Sequence, residues 1–406
     1  MGNCLVAQSG GPTAVINSSV IGVLQGAIES KYYQNVFAGI NGIEGILNGK
    51  IINLGDTLKD KDKHFKYTPS SGLGSCRYKM KDFHDDDSEY IQFFNILKEY
   101  DIQTFFYIGG NDSMDTVSKL SKYAKLNSLN YQIIGIPKTI DNDLTCTDHT
   151  PGFGSSAKLI STIVLETYLD SSVYKNNGIF IIETMGRDTG WLAASACLAK
   201  IDGKAAADFI YIPEAAFDKD KFLIDVEQRF KDQNQVYIVV SEGIKYEDGT
   251  FVSETDSSAC HDNFGHAQLG GVKNVLRQMI INKGITSRVK TLELGVIQRC
   301  AMHCCSDVDI EEAYRCGKDA VKFSIEGVTG KMVSIERLCN NPYKSRDILV
   351  NVSDVANNIK YFPKEWVKDN NNISDKALEY FSPLVEGCPS FTVENNTKNY
   401  TIIKKC

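Results

Sequence analysis

A chain of 406 residues, 42% of them hydrophobic and 23% charged, is long enough to bury a large core and to divide into two domains. Its 44 Lys and Arg stand against 51 Asp and Glu, a formal net charge of -7, so no global basic field draws in nucleic acid and any anionic ligand has to be met by local groups. No apolar stretch approaches the roughly 20 residues of a membrane helix and no cleavable leader opens the chain, so a soluble, cytoplasmic protein without membrane partners is expected.

In chain order, a strand at 4–8 runs into SGGPTAVIN, where Gly10 and Gly11 turn the chain and Pro12 opens a helix. Glycine N–H groups at a helix N-terminus suit a phosphate, and a plain strand-to-helix turn suits the same residues. Strands at 36–40 and 50–53 precede a charged segment, 59–66, expected as a solvated loop. Arg77 follows a Gly/Ser turn in TPSSGLGSCRYK and reads either as a guanidinium offered to a phosphate or as a surface residue. His84 and Asp85, Asp86 and Asp87 read as the capped start of a helix ending near Tyr100 rather than as a metal site. A second strand-turn-helix unit, TFFYIGGNDSMDTVSKL, has its strand at 104–108, its glycines at Gly109 and Gly110, and a helix from about Ser113. Beside a phosphate, Asp112 in that turn implies Mg²⁺ or the exclusion of a longer ligand, and otherwise a helix cap.

The stretch QIIGIPKTIDND organises the chain. Its apolar run reads as a buried parallel strand, and Lys138, Thr139, Asp141 and Asp143 project from the carboxyl end, where functional residues of open α/β sheets collect. A helix over about 155–170 and a strand over 178–183 lead to Met185, Gly186 and Arg187. Strands over 208–212 and 236–240 follow, the second ending in Ser241, Glu242 and Gly243. A helix over about 264–283 then precedes RVKTLELGVIQRC, with Lys290 before its strand and Arg299 after it. A strand near 332–337 and an Asn-rich tail complete the chain. The 12 cysteines contain no CxxC pair and read as reduced thiols; the group Cys300, His303, Cys304 and Cys305 lacks the second knuckle of a structural zinc site.

Three strand ends with glycine pairs or carboxylates form a constellation more specific than any one turn. The order and wording of SGGPTAVIN, IGGNDSMDT, PKTIDND, MGRDTGWLA and a QR after a strand resemble the phosphofructokinase family. The Lys of PKTIDND, the Asp of GGNDS and SDVANNIKYFPKEWV near the carboxyl end resemble its pyrophosphate-using branch. The resemblance implies two doubly wound, Rossmann-like α/β domains with the active site in the cleft between them. Residues 1–150 plus about 300–330 would bind the phosphoryl donor, and 151–299 plus part of 331–406 the sugar phosphate. It implies magnesium-dependent, reversible transfer of phosphate from pyrophosphate to C1 of fructose 6-phosphate in a homo-oligomer. An ATP-using enzyme and a noncatalytic subunit of the same fold are the alternatives.

By that resemblance Asp141 is the general base, Lys138 stabilises the charge of the transferring group, and Asp112 crowds out a nucleotide's inner phosphate. Gly10, Gly11, Arg77 and Gly110 face the donor. Thr139, Ile140 and Asp143 hold the acceptor with Asp141, and Met185, Gly186, Arg187 and Glu242 contact the sugar. Lys290 and Arg299 match the residues that bind its 6-phosphate, one of which crosses from a neighbouring subunit in some relatives. Asn111 and Asp112 stand at the metal position, Asn111 where many relatives carry Asp, and Val296 replaces the family's common His or Tyr.

Overall fold

The computed structural model describes residues 2–174, 177–256, 271–390, 393–394 and 397–403. The chain opens with β1 (Asn3–Gln8), α1 (Ile16–Ser30), β2 (Val36–Gly39), α2 (Gly42–Leu47), β3 (Ile51–Asn53), α3 (Leu54–Thr57), α4 (Asp62–Lys66), α5 (Ser88–Glu99), β4 (Ile102–Gly109), α6 (Asn111–Leu126) and β5 (Gln132–Pro137). It continues through α7 (Phe153–Ser171), β6 (Gly178–Thr184), α8 (Trp191–Ala194), a small hairpin of β7 (Lys200–Ile201) and β8 (Lys204–Ala205), β9 (Phe209–Tyr211), α9 (Lys219–Gln233) and β10 (Gln235–Ser241). Beyond these lie α10 (Val272–Lys283), β11 (Val289–Glu293), α11 (Asp307–Ile325), β12 (Lys331–Asn340) and β13 (Tyr343–Asn351).

These elements form two compact units. Unit 1 comprises Met1–Ser155, Arg299–Ile359 and Glu386–Cys406; unit 2 comprises Ser156–Gln298 and Lys360–Val385. The sheet of unit 1 runs β13-β12-β5-β4-β1-β2-β3, parallel except for β3 and β13 at its two edges. Strand alternation divides its side chains between two cores. On β4, Phe106 and Ile108 face the layer of α1 and α11, whereas Phe105 and Tyr107 join the cluster containing Phe93 and Leu97 of α5. From β1 the chain steps to β2 on one side and later to β4 and β5 on the other. The carboxyl ends of β1 and β4 therefore mark a topological switch point, the usual ligand position of such sheets, and the two glycine pairs lie there. Unit 2 carries an all-parallel sheet, β11-β6-β10-β9, whose central β10 is buried along its whole length.

Helices α1 and α11 cross at two glycines. A Cβ on Gly22 would stand 2.0 Å from the Tyr314 carbonyl oxygen, and one on Gly317 would stand 2.1 Å from that of Ser19. The two backbones approach closely only because both side chains are absent.

Several expected boundaries shift. The charged segment 59–66 is not all loop, because Phe65 is fully buried and gives α4 one apolar side to pack. The first helix begins at Ile16 rather than at Pro12. Lys290 lies within β11, not before it. Residues 264–270 of one expected helix lie outside the described residues. The strand expected near 332–337 is the first arm of a hairpin whose second arm, β13, the polar sequence after Cys339 conceals. Among the described residues no helix is long and apolar enough to cross a membrane, and the cysteines are free thiols.

Candidate active site

In unit 1 the chemistry gathers at the ends of β1, β4 and β5. Lys138 leaves β5 with its backbone N–H on the Gly109 carbonyl at 3.0 Å, and its side chain folds back so that Nζ donates to the Gly11 carbonyl at 2.5 Å. Lys138 is only 2% exposed. Burial pushes its ammonium down to about 8, against the pull of Asp141 and Asp143 and with the repulsion of Arg299 and Arg77. Gly10, at φ +74°, leaves the space Nζ uses: a Cβ there would stand 3.3 Å from it. The glycine turn is tied to the Arg77 loop, with Gly10 N donating to Cys76 O at 3.2 Å and Ser75 Oγ to Gly10 O at 2.6 Å. Arg77 itself is exposed.

Arg299 belongs here too. A Cβ on Gly11 would meet its Nη1 at 3.3 Å, and its Nε is buried without a hydrogen-bond partner. The structure therefore sets Arg299 at the glycine turn and Lys138. Gly110 lies over the same strand end, its absent Cβ 3.5 Å from the Lys138 carbonyl oxygen.

The turn after Lys138 aims the carboxylates. Asp141 N donates to Thr139 Oγ1 at 3.1 Å, and that hydroxyl lies 3.5 Å from Asp141 Oδ2. Asp141 and Asp143 are half-buried, whereas Ile140 and Asn142 point inward. Asn142 adopts φ +52°, a left-handed conformation that Asn tolerates, and its Oδ1 accepts from Thr150 N at 3.1 Å. The DND wording drew attention to its two carboxylates, and the Asn that shapes the turn went unnoticed.

Asn111 and Asp112 open α6. Asn111 spends its amide on the segment after β13, Nδ2 donating to Asn358 O and Oδ1 accepting from Asn357 N, each at 2.5 Å. Asp112 is exposed in the first helical turn, and the cap position is Gly110 rather than Asp112. Among the described residues no group of three or more His, Cys, Asp or Glu side chains would hold a metal by itself.

In unit 2, β6 and β10 run parallel with Thr184 opposite Ser241, so the residues that follow them meet. Gly186 N donates to Glu242 Oε1 at 3.2 Å, Glu242 N donates to Thr184 O at 2.9 Å, and the Ser241 hydroxyl donates to Gly186 O. Met185 N donates to Gln298 Oε1 at 3.3 Å, a buried amide whose place in the QR pair had pointed only to the Arg. Arg187 pairs its Nε with Asp188 Oδ2 at 2.9 Å. Lys290 is not brought to this group. It lies opposite Phe180 on β6, five residues before Met185, or about 16 Å along the strand. Its Nζ is 3.8 Å from Asp170 Oδ2 and lies over the Tyr174 ring at 5.9 Å. Val296 is 65% exposed.

Comparison with known proteins gives a match to the family model described as Phosphofructokinase over residues 3–324. The Pyrophosphate--fructose 6-phosphate 1-phosphotransferase of Halomonas elongata is 36% identical over 389 residues, 95% of this chain and 92% of that one. The protein of the same name from Xanthomonas campestris pv. campestris is 39% identical over the same lengths. The crystal structure of a pyrophosphate-dependent phosphofructokinase from Nitrosospira multiformis is similar with a TM-score of 0.89 at 36% identity, covering 100% of this chain and 97% of that one.

Proposed function

The chain belongs to the phosphofructokinase family, and from that premise we propose that it moves a phosphoryl group between pyrophosphate and C1 of fructose 6-phosphate, in the cytoplasm, as a reversible step of glycolysis. Lys138 carries the reading. A buried ammonium at a glycine turn, flanked by the half-buried Arg299, is a local cationic site of the kind that meets a phosphate.

Asp141 takes the proton of the C1 hydroxyl as that oxygen attacks phosphorus; the new C1–oxygen–phosphorus link forms while the bridging P–O bond of pyrophosphate breaks and orthophosphate leaves. Lys138 and the Gly11 amide neutralise charge on the donor, joined by Arg299, which its place at Gly11 assigns to the donor rather than to the 6-phosphate; Gly10, its N–H engaged by Cys76, leaves room for Lys138, and the exposed Arg77 adds a guanidinium at the edge. Thr139, Ile140 and Asp143 keep the acceptor on Asp141. Met185, Gly186, Arg187 and Glu242 hold the sugar. Mg²⁺, when bound, offsets the negative charge of the phosphates. It is usually held by one or two carboxylates together with substrate oxygens, and the exposed Asp112 suits that role while Asn111 is engaged by Asn357 and Asn358. Asp112 also excludes ATP by crowding and repelling the nucleotide's inner phosphate. Lys290 serves the 6-phosphate of a neighbouring copy, which makes the enzyme a homo-oligomer.

The test is a donor assay with fructose 6-phosphate and Mg²⁺, given pyrophosphate or ATP in parallel, on wild type and Asp112→Gly. Wild type is expected to turn over pyrophosphate alone and the variant to gain ATP use. Preference of the wild type for ATP, or turnover with neither donor, rejects the reading in favour of the ATP-dependent enzyme or the noncatalytic subunit.

A further inference from the structure

Beyond the groups assigned to the reaction, unit 1 buries a row of alternating charges. The His149 ring is 1% exposed, with Nδ1 2.8 Å from Asp148 Oδ1 and Nε2 2.6 Å from Glu312 Oε2 on α11. Glu312, 3% exposed, accepts through its other oxygen from Tyr343 OH at 2.7 Å and Ser345 Oγ at 2.6 Å on β13, with Arg315 Nη2 3.8 Å away. Asp148 accepts from Nε and Nη2 of Arg337 on β12 at 3.0 and 2.8 Å. Burial favours the neutral ring, but the charge of Glu312 and the hydrogen bonds to both carboxylates outweigh it and raise the imidazole to about 9. Both ring nitrogens therefore donate at neutral pH.

A buried ion pair is a weak source of stability, because desolvation consumes much of the Coulomb gain. This one has a specific position. Residue 149 lies in the loop between β5 and α7, residues 138–152, and its neighbour Thr150 holds both flanks of Asp141. Thr150 N donates to Asn142 Oδ1 at 3.1 Å, and Thr150 Oγ1 donates to Thr139 O at 2.9 Å. On the other side, Asp309 of α11 accepts from Gly152 N at 2.8 Å and Ser155 N at 2.9 Å. The carboxylate turn is thus anchored to a helix from a part of the chain about 160 residues away in sequence.

We propose that His149 and Glu312 are positioning residues for phosphoryl transfer: their buried ion pair fixes Thr150, and through Thr150 the Thr139–Asn142 turn that aims Asp141. Neither touches a substrate. The inference rests on Asp141 being the base, and a displacement of about 1 Å at a reacting group is enough to lose about a hundredfold in rate.

The experiment compares His149→Phe, His149→Phe/Glu312→Gln and Asp141→Asn with wild type, reading kcat, KM for fructose 6-phosphate and thermal midpoint. The double variant removes the stranded charge yet leaves an oxygen for Tyr343 and Ser345. His149→Phe is expected to lose about tenfold to a hundredfold in kcat with KM changed by less than about threefold. The double variant should regain most of the lost midpoint and keep the low kcat. Recovery of wild-type kcat along with stability, or a kcat within about twofold of wild type in either folded variant, overturns the proposal and leaves the pair a purely structural one. If His149→Phe does not fold, His149→Gln, which keeps one donor toward Glu312, is judged by the same criteria. Undiminished turnover in Asp141→Asn would instead reject the base assignment, a separate failure.

Discussion

At Lys138 a cation is held where burial disfavours it. Three features keep it there: the Gly11 carbonyl on its Nζ, the nearby Asp141 and Asp143, and the missing side chain of Gly10. Because burial lowers its pKa to about 8, the ammonium predominates below that pH and is lost above it. With kcat/KM reporting the free enzyme, the value for pyrophosphate should fall as pH rises through about 8, and the decline should vanish in Lys138→Met, whose remaining activity is lower by on the order of a hundredfold. A pH profile of the two proteins checks this; an unchanged alkaline limb in the variant assigns the titration to another group. The Lys, its strand end and its neighbouring carboxylates were all legible in PKTIDND. Its contact with Gly11 was not, since 127 residues separate the two and no local pattern records the pairing.

Among the elements, the α1–α11 crossing bears most directly on the site, since α1 follows the glycine turn and α11 carries Glu312 and Asp309. Gly22→Ala would drive a Cβ to within 2.0 Å of the Tyr314 carbonyl, so the helices must part. The expected cost is about 1–3 kcal/mol, the range for overpacking, seen as a lowered thermal midpoint. Gly55→Ala is the control, because its Cβ would meet only Asn53 Oδ1, at 3.5 Å, and should leave the midpoint nearly unchanged. Equal effects of the two substitutions would show that helix propensity, not the crossing, sets the outcome. The glycine turn and Pro12 announce α1 in the sequence, whereas α11 falls in a segment for which no helix was expected. That two glycines face each other across them is a tertiary fact, invisible to any window of periodicity.

For the whole molecule, the segment RVKTLELGVIQRC is instructive. Lys290 and Arg299 are nine positions apart, yet Lys290 belongs to unit 2 and Arg299 to unit 1, and within unit 2 Lys290 stands toward the opposite end of the sheet from Met185. If Lys290 serves a neighbouring copy, coexpressed Lys290→Ala and Asp141→Asn chains should form mixed oligomers with more turnover than the sum of the separate homo-oligomers, because one site in the pair retains both groups. Simple additivity in that complementation assay would remove Lys290 from the 6-phosphate site.

What the sequence determined by itself was local: buried strands from uninterrupted apolar runs, turns from glycine pairs, carboxylates and cations at strand ends, and from their wording the family. These features are set by residues close along the chain, where side-chain period and glycine's freedom leave a readable trace. Tertiary structure alone decided that Arg299 stands at Gly11, that Asn111 clasps Asn357 and Asn358, that Lys290 stands apart from Met185, and that His149 meets Glu312. Each depends on which distant segments pack together, and that choice is made by the summed burial of both faces of a sheet rather than by any residue's immediate neighbours.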